Sequence, residues 1–166
     1  MIKIAEVINE ILKFSPAVLT LHKGVDEDKI SEFEKRFGLA LPNDYKDLLR
    51  WSNGLELMGI VVFGIFDDSI LSSLGGAYKV EHYEVGNAMT LNLVPFSPDG
   101  GGNHYCFDSK KCDEQSCQIS FWQHNLSYTE DESPEVVNHS FAEWVKEVVI
   151  DWTLEDYDHN GVKNNN

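Results

Sequence analysis

The residues with the most chemical potential in this chain of 166 lie close together in its second half. Cys106, Cys112 and Cys117, with His104 just upstream, offer thiolate and imidazole ligands of the kind that hold zinc. Structural zinc sites draw their cysteines as closely spaced pairs such as C-x2-C, whereas five and four residues separate these three. Cys106 also lies between Tyr105 and Phe107, in a strand-like stretch where a small buried thiol is commonplace. Gly100-Gly101-Gly102-Asn103 invites comparison with a phosphate cradle. A P-loop needs a lysine behind its glycines and then a helix, and here a strand follows instead. A hairpin turn that needs positive φ accounts for these glycines better. Asp156-Tyr157-Asp158-His159-Asn160-Gly161 matches the first six positions of an EF-hand loop. Its bidentate Glu would fall at position 167, one past the sequence, so the stretch reads as a solvated acidic segment. His82, His104, His124 and His139 are scattered and match no hydrolase or metalloprotease pattern. Glu81 and Glu84 flank His82 and Tyr83 in what reads as a mixed strand or exposed loop. Carboxylates are too numerous for any pair to be singled out as an acid–base couple. No catalytic residue, metal or cofactor is expected from these residues.

The elements that would carry them begin with an amphipathic helix. Ile4, Val7, Ile8, Ile11 and Leu12 recur at helical spacing, and Lys3, Glu6, Glu10 and Lys13 break what would otherwise resemble a signal peptide. A second helix should start at the N-cap Asp26, bury Ile30, Phe33 and Phe37, and stop at Gly38. Pro42 should open a third, burying Tyr45, Leu48 and Leu49 and ending at Asn53-Gly54. The pattern then changes to sheet. Residues 57–66 read as one or two strands, 67–76 as a loop, and 91–96, 103–108 and 118–124 as strands. A last helix from about Ser140 to Trp152 should bury Phe141, Trp144, Val145, Val148 and Val149. Helices, antiparallel strands, then a helix make an α+β domain over residues 1–154, with residues 155–166 expected as a polar, frayed tail.

Charge narrows the function. The formal net charge is −15, and it is unevenly spread: residues 1–50 hold 9 acids and 8 bases, residues 51–166 hold 19 acids and 5 bases. Such a surface repels phosphate backbones and acidic membranes, so neither nucleic acid nor a membrane is an expected partner. It attracts a basic protein and speeds the encounter. No apolar run is long enough to span a bilayer, and three cysteines are too few for a disulfide scaffold, which suggests a reducing compartment. A cytoplasmic location is expected.

A series of short motifs resembles the SUKH superfamily, the Smi/Knr cell-wall-regulator type. Its opening is Ile30-x-x-Phe33-Glu34, Phe37-Gly38, Leu41-Pro42-x-x-Tyr45-x-x-Leu48-Leu49 and Asn53-Gly54. Phe63-Gly64, Pro95-Phe96, Gly101-Gly102-Asn103, Tyr105 to Asp108, Phe121-Trp122 and the helix from Phe141 to Val149 continue it in order, over roughly residues 26–150. The resemblance implies an α+β fold, a mostly antiparallel sheet with helices packed around it. It also implies a non-catalytic protein-binding role. Bacterial single-domain members are largely immunity proteins that protect their producer by binding a contact-dependent toxin, often a nuclease. Members with eukaryotic regulatory roles sit in longer chains, and a regulatory scaffold for an endogenous protein is the alternative. A basic cognate toxin would meet the acidic sheet-side loops, with Glu56, Asp67, Asp68, Glu81, Glu84 and Asp99 as the expected contact residues.

Overall fold

The computed structural model describes residues 2–129 and 131–165, and every element below lies among them. Ile4, Val7 and Ile11 point inward from α1 (Ile4–Ile11). Helix α2 (Glu27–Phe37) begins where the Asp26 carboxylate accepts the Lys29 N–H at 3.0 Å, and ends at Gly38, whose φ of 64° suits glycine. Helix α3 (Asn43–Trp51) starts one residue later than expected, with Pro42 as its cap, and buries Tyr45, Leu48 and Leu49.

A small antiparallel sheet follows, in the order β1 (Leu19–Leu21), β2 (Leu55–Leu57), β3 (Ile60–Val62). Met58 and Gly59 turn the β2–β3 hairpin with φ of 50° and 88°, the paired left-handed geometry that favours a tight two-residue turn. Residues 74–76, expected as loop, and 81–84, expected as a mixed strand or exposed loop, are instead helical: α4 (Leu74–Lys79) runs on into a π-helical turn, Val80–Glu84. Ser73 caps it by accepting the Gly76 N–H at 3.0 Å. Glycine is required here because a side chain on Gly75 would strike the Asp68 carboxylate, and one on Gly76 the Ile70 carbonyl.

The larger sheet has the order β4 (Leu93–Pro98), β5 (His104–Cys112), β6 (Cys117–Trp122), β7 (Glu135–Asn138), all antiparallel. A hydrogen bond of 2.8 Å from the Phe63 N–H to the Phe96 carbonyl joins the two sheets. Cys112 and Cys117 face each other at the end of the β5–β6 hairpin, their Cα atoms 3.9 Å apart, and form a disulfide. The expectation of a reducing compartment rested on too few cysteines for a disulfide scaffold; the hairpin register nonetheless brings together two that sequence spacing alone does not pair.

The chain then enters a long C-terminal helix (141–156). It is α-helical over Phe141–Trp144 (α5), π-helical over Val145–Asp151, and α-helical again over Trp152–Asp156 (α6). Its start is pinned by Asp44, which accepts the Ser116 hydroxyl at 2.6 Å and the Ala142 N–H at 3.3 Å. An aromatic core holds the layers together. The Tyr45 and Phe107 rings lie 4.9 Å apart, Phe96 and Phe107 4.3 Å, and Phe96 and Trp144 4.8 Å. On the opposite face of β4 and β5, Leu93 and Cys106 join Met89 and Trp122 in a smaller buried cluster.

The segment after residue 154, expected to fray, is tied to the turn that follows α1 and folds back on itself. The Ser15 N–H donates to the His159 carbonyl at 2.8 Å, the Phe14 ring packs 4.7 Å from the His159 ring, and Asn164 N–H donates to the Asp156 carbonyl at 2.8 Å.

Candidate partner-binding surface

The groups that suggested metal or phosphate chemistry are placed in other roles. Cys106 is fully buried beside Met89, and burial pushes its thiol well up from the ordinary range, the opposite of what a thiolate ligand needs. Cys112 and Cys117 are consumed by their disulfide. Among the described residues, no group of three or more His, Cys, Asp or Glu is arranged to hold a metal ion. In the glycine turn, Gly100 and Gly102 take φ of 84° and 95°. Its amides are already satisfied by an anion of the chain itself, because Asp99 accepts the Gly101 and Asn103 N–H groups at 2.7 and 2.9 Å. Likewise Asp158 accepts the Asn160 and Val162 N–H groups at 2.8 and 2.9 Å, which shapes the stretch that resembled a calcium loop.

The six expected contact residues fall into separate groups. Glu56 is exposed at the centre of β2, opposite Thr20 and Val61. Asp67 is exposed in the loop before α4, where hydrogen bonds from Ser69 hold its pKa below the usual range. Asp68 is different: its side chain is only 11% exposed and is engaged by Arg36 at 3.0 Å and Lys79 at 3.1 Å. Glu84 is exposed at the end of the π-helical turn. Glu81, one turn earlier, is half-buried with its pKa raised by that burial, and its carboxylate lies 4.0 Å from His104 Nδ1. Asp99 approaches the same imidazole from the β4–β5 turn. Partial burial works to raise the Asp99 pKa, but the hydrogen bonds from Asn103 and Gly101 outweigh it and leave it lowered. Glu81 and Asp99 are therefore brought together around His104, whereas Asp67 and Asp68 belong to the loop that faces α2.

His104 itself is a buried imidazole whose Nδ1 has no hydrogen-bond partner. Burial pushes its pKa down to about 4, so it is neutral at physiological pH. The other buried histidine, His82, has both ring nitrogens against carbonyls, Tyr78 at 2.7 Å and Thr90 at 3.2 Å, and serves to fix the π-helical turn.

Sequence reading overlooked a second acidic surface. Glu143, Glu147, Asp151 and Glu155 follow one another at intervals of four on the C-terminal helix, beside Trp152 and Asp156. The four-residue spacing was visible in the sequence. The exposure of Trp152 was not, because it depends on the π-helical segment before it.

The molecule is an α+β domain with two antiparallel sheets and helices packed on them, and its sequence carries 28 acids against 13 bases. The sequence profile of the SMI1 / KNR4 family (SUKH-1) matches residues 24–147, and the chain belongs to that family. It is 26% identical to the SPbeta prophage-derived uncharacterized protein YokK of Bacillus subtilis (strain 168), over 81% of this chain and 80% of that protein. Its fold matches the crystal structure of a protein from Pseudomonas syringae pv. tomato with a TM-score of 0.64 at 19% identity, covering 87% of this chain and 96% of the other. The family consists generally of non-catalytic immunity or regulatory domains that bind partner proteins.

Proposed function

We propose that this protein is an immunity protein that neutralises a cognate contact-dependent toxin by binding it directly. The observation that carries the reading is charge on a member of this family: a net −14 beyond residue 50, from 19 acids against 5 bases. A toxin that grips nucleic acid presents a basic face, and a carboxylate-rich protein can occupy that face in place of phosphates. Kinship to a protein described as prophage-derived supports the bacterial branch over the eukaryotic regulators. Glu56, Asp67, Glu84 and Asp99 remain the expected contacts on the sheet side. Asp68 and Glu81 contribute less, because one is already ion-paired and the other half-buried.

The test is co-expression with the toxin domain encoded beside the gene. Cells making the full chain should survive, and the two proteins should co-purify. Killing that continues in the presence of folded, soluble protein overturns the reading. Co-purification of a housekeeping protein from a strain with no adjacent toxin gene favours the regulatory alternative.

A further inference from the structure

Phe141, Trp144, Val145, Val148, Val149 and Trp152 would form one apolar stripe on a regular α-helix. The first five are buried, but Trp152 is 45% exposed. The cause lies in the π-helical segment Val145–Asp151. Hydrogen bonding from i to i+5 turns the chain less per residue, so seven such residues lag an α-helix by roughly a third of a turn. The buried stripe accordingly resumes one position later, at Thr153, which is 4% exposed. Trp152 is thereby rotated out of the core and into the most acidic stretch of the helix.

Between residues 141 and 158 there are six acids and one base. That base, Lys146, is already engaged by Asp151 and by Glu10, the latter at 3.5 Å. Like charges four apart on a helix repel one another, and π-helical insertions are frequent at functional sites. A helix that presents an exposed indole among carboxylates, with a net charge of −5 over residues 141–158, is suited to receiving a cationic partner.

We infer that the solvent face of the C-terminal helix, with Trp152 as anchor and Glu155 and Asp156 beside it, is the surface on which this protein docks a basic protein, taking an arginine or lysine side chain over the indole. The inference rests on the proposed binding of a basic partner and moves its centre from the sheet-side loops to this helix. Cations stack on indole faces, carboxylates beside the ring supply charged hydrogen bonds, and tryptophan is among the commonest anchors of protein interfaces. The molecule uses the same arrangement internally, where the Arg36 guanidinium lies 5.2 Å from the Phe37 ring centre while bonding to Asp68 at 3.0 Å.

The test titrates the full chain with a hexa-arginine peptide at low salt, following indole fluorescence and amide chemical shifts. Shifts should concentrate at residues 147–157 and on the Trp152 indole. Trp152→Ala should weaken binding at least about tenfold while the chain stays folded at the assay temperature. The pair Glu155→Lys with Asp156→Lys should do the same, so the outcome does not depend on one variant folding. Absence of binding, or shifts centred on Glu56 and Asp67 with Trp152→Ala unaffected, overturns the inference. A second arm uses the toxin domain encoded beside the gene. If the wild-type chain protects and Trp152→Ala protects equally, this surface is overturned while the immunity reading stands. If the wild-type chain fails to protect, the immunity reading falls and the peptide titration alone judges the surface.

Discussion

Burying an imidazole removes the charged form that it would otherwise adopt in mild acid. His104, 8% exposed, has its pKa pushed down to about 4 from an ordinary 6.5, with burial as the cause and the Asp99 charge only partly opposing it. Between about pH 6.5 and 4 the unfolded chain therefore takes up a proton that the folded chain refuses, and stability should fall with falling pH by at most roughly 3 kcal/mol. Glu81 acts with the opposite sign: its raised pKa means that the folded state binds its proton first, which offsets part of the loss. Urea unfolding at pH 7 and pH 4.5 should show the decline, and His104→Gln should flatten it. An equal slope in the variant would assign the effect to other groups. Tyr45 is a second single-residue probe. It is wholly buried and donates its hydroxyl to the Phe63 carbonyl at 2.5 Å, linking α3 to the end of the small sheet. Tyr45→Phe should cost about 1–2 kcal/mol through the orphaned carbonyl, and Tyr45→Ala about 3–5 kcal/mol through the cavity. Both are read from chemical denaturation.

Elements whose ends carry local signals were legible in the sequence. Asp26 and Gly38 bounded α2, Ser140 began the C-terminal helix, and the apolar and aromatic residues of β4, β5 and β6 marked the larger sheet. Elements held by distant partners were not. The three residues of β1 form a strand only because Glu56 and its neighbours pair with them, and β7 only because β6 offers an edge. Helix α4 was hidden by Gly75-Gly76, poor helix formers that are present because Asp68 and Ile70 press against the backbone there. Among the proposed contacts, the sequence distinguished exposed carboxylates from apolar residues, but it could not show that Asp68 is already paired. The Cys112–Cys117 link was hidden for a similar reason, since it depends on the β5–β6 register. Closing so short a loop constrains the unfolded chain only modestly, so reduction should lower stability by roughly 2 kcal/mol and leave the rest of the sheet intact. Thermal melts with and without dithiothreitol check this, and Cys112→Ser should reproduce the reduced protein.

At the scale of the whole molecule the governing quantity is the net charge of −15. Long-range attraction to a basic partner is screened over about 8 Å at physiological ionic strength. Association with the toxin should therefore slow steeply as salt rises while dissociation changes little, which stopped-flow mixing measures. A salt-insensitive on-rate would remove electrostatic steering from the account. Charge reversal separates the two aspartates of one loop. Asp67→Lys alters an exposed charge and should leave the melting temperature nearly unchanged. Asp68→Lys sets a third cation against Arg36 and Lys79 and should cost roughly 1–2 kcal/mol by losing two ion pairs.

The clasp between Ser15 and His159, together with the seat of α1 against the C-terminal helix through Glu10 and Lys146, has a consequence for biosynthesis. During translation the first helix and α3, which covers part of its apolar face, emerge long before the C-terminal helix, so the rest of that face stays open until residues 141–151 have left the ribosome. The core is complete only then, because Phe141, Trp144, Val145, Val148 and Val149 belong to it. Nascent chains stalled at residue 139 should be cleaved readily by added protease, and stalled chains with residue 166 clear of the exit tunnel should resist it.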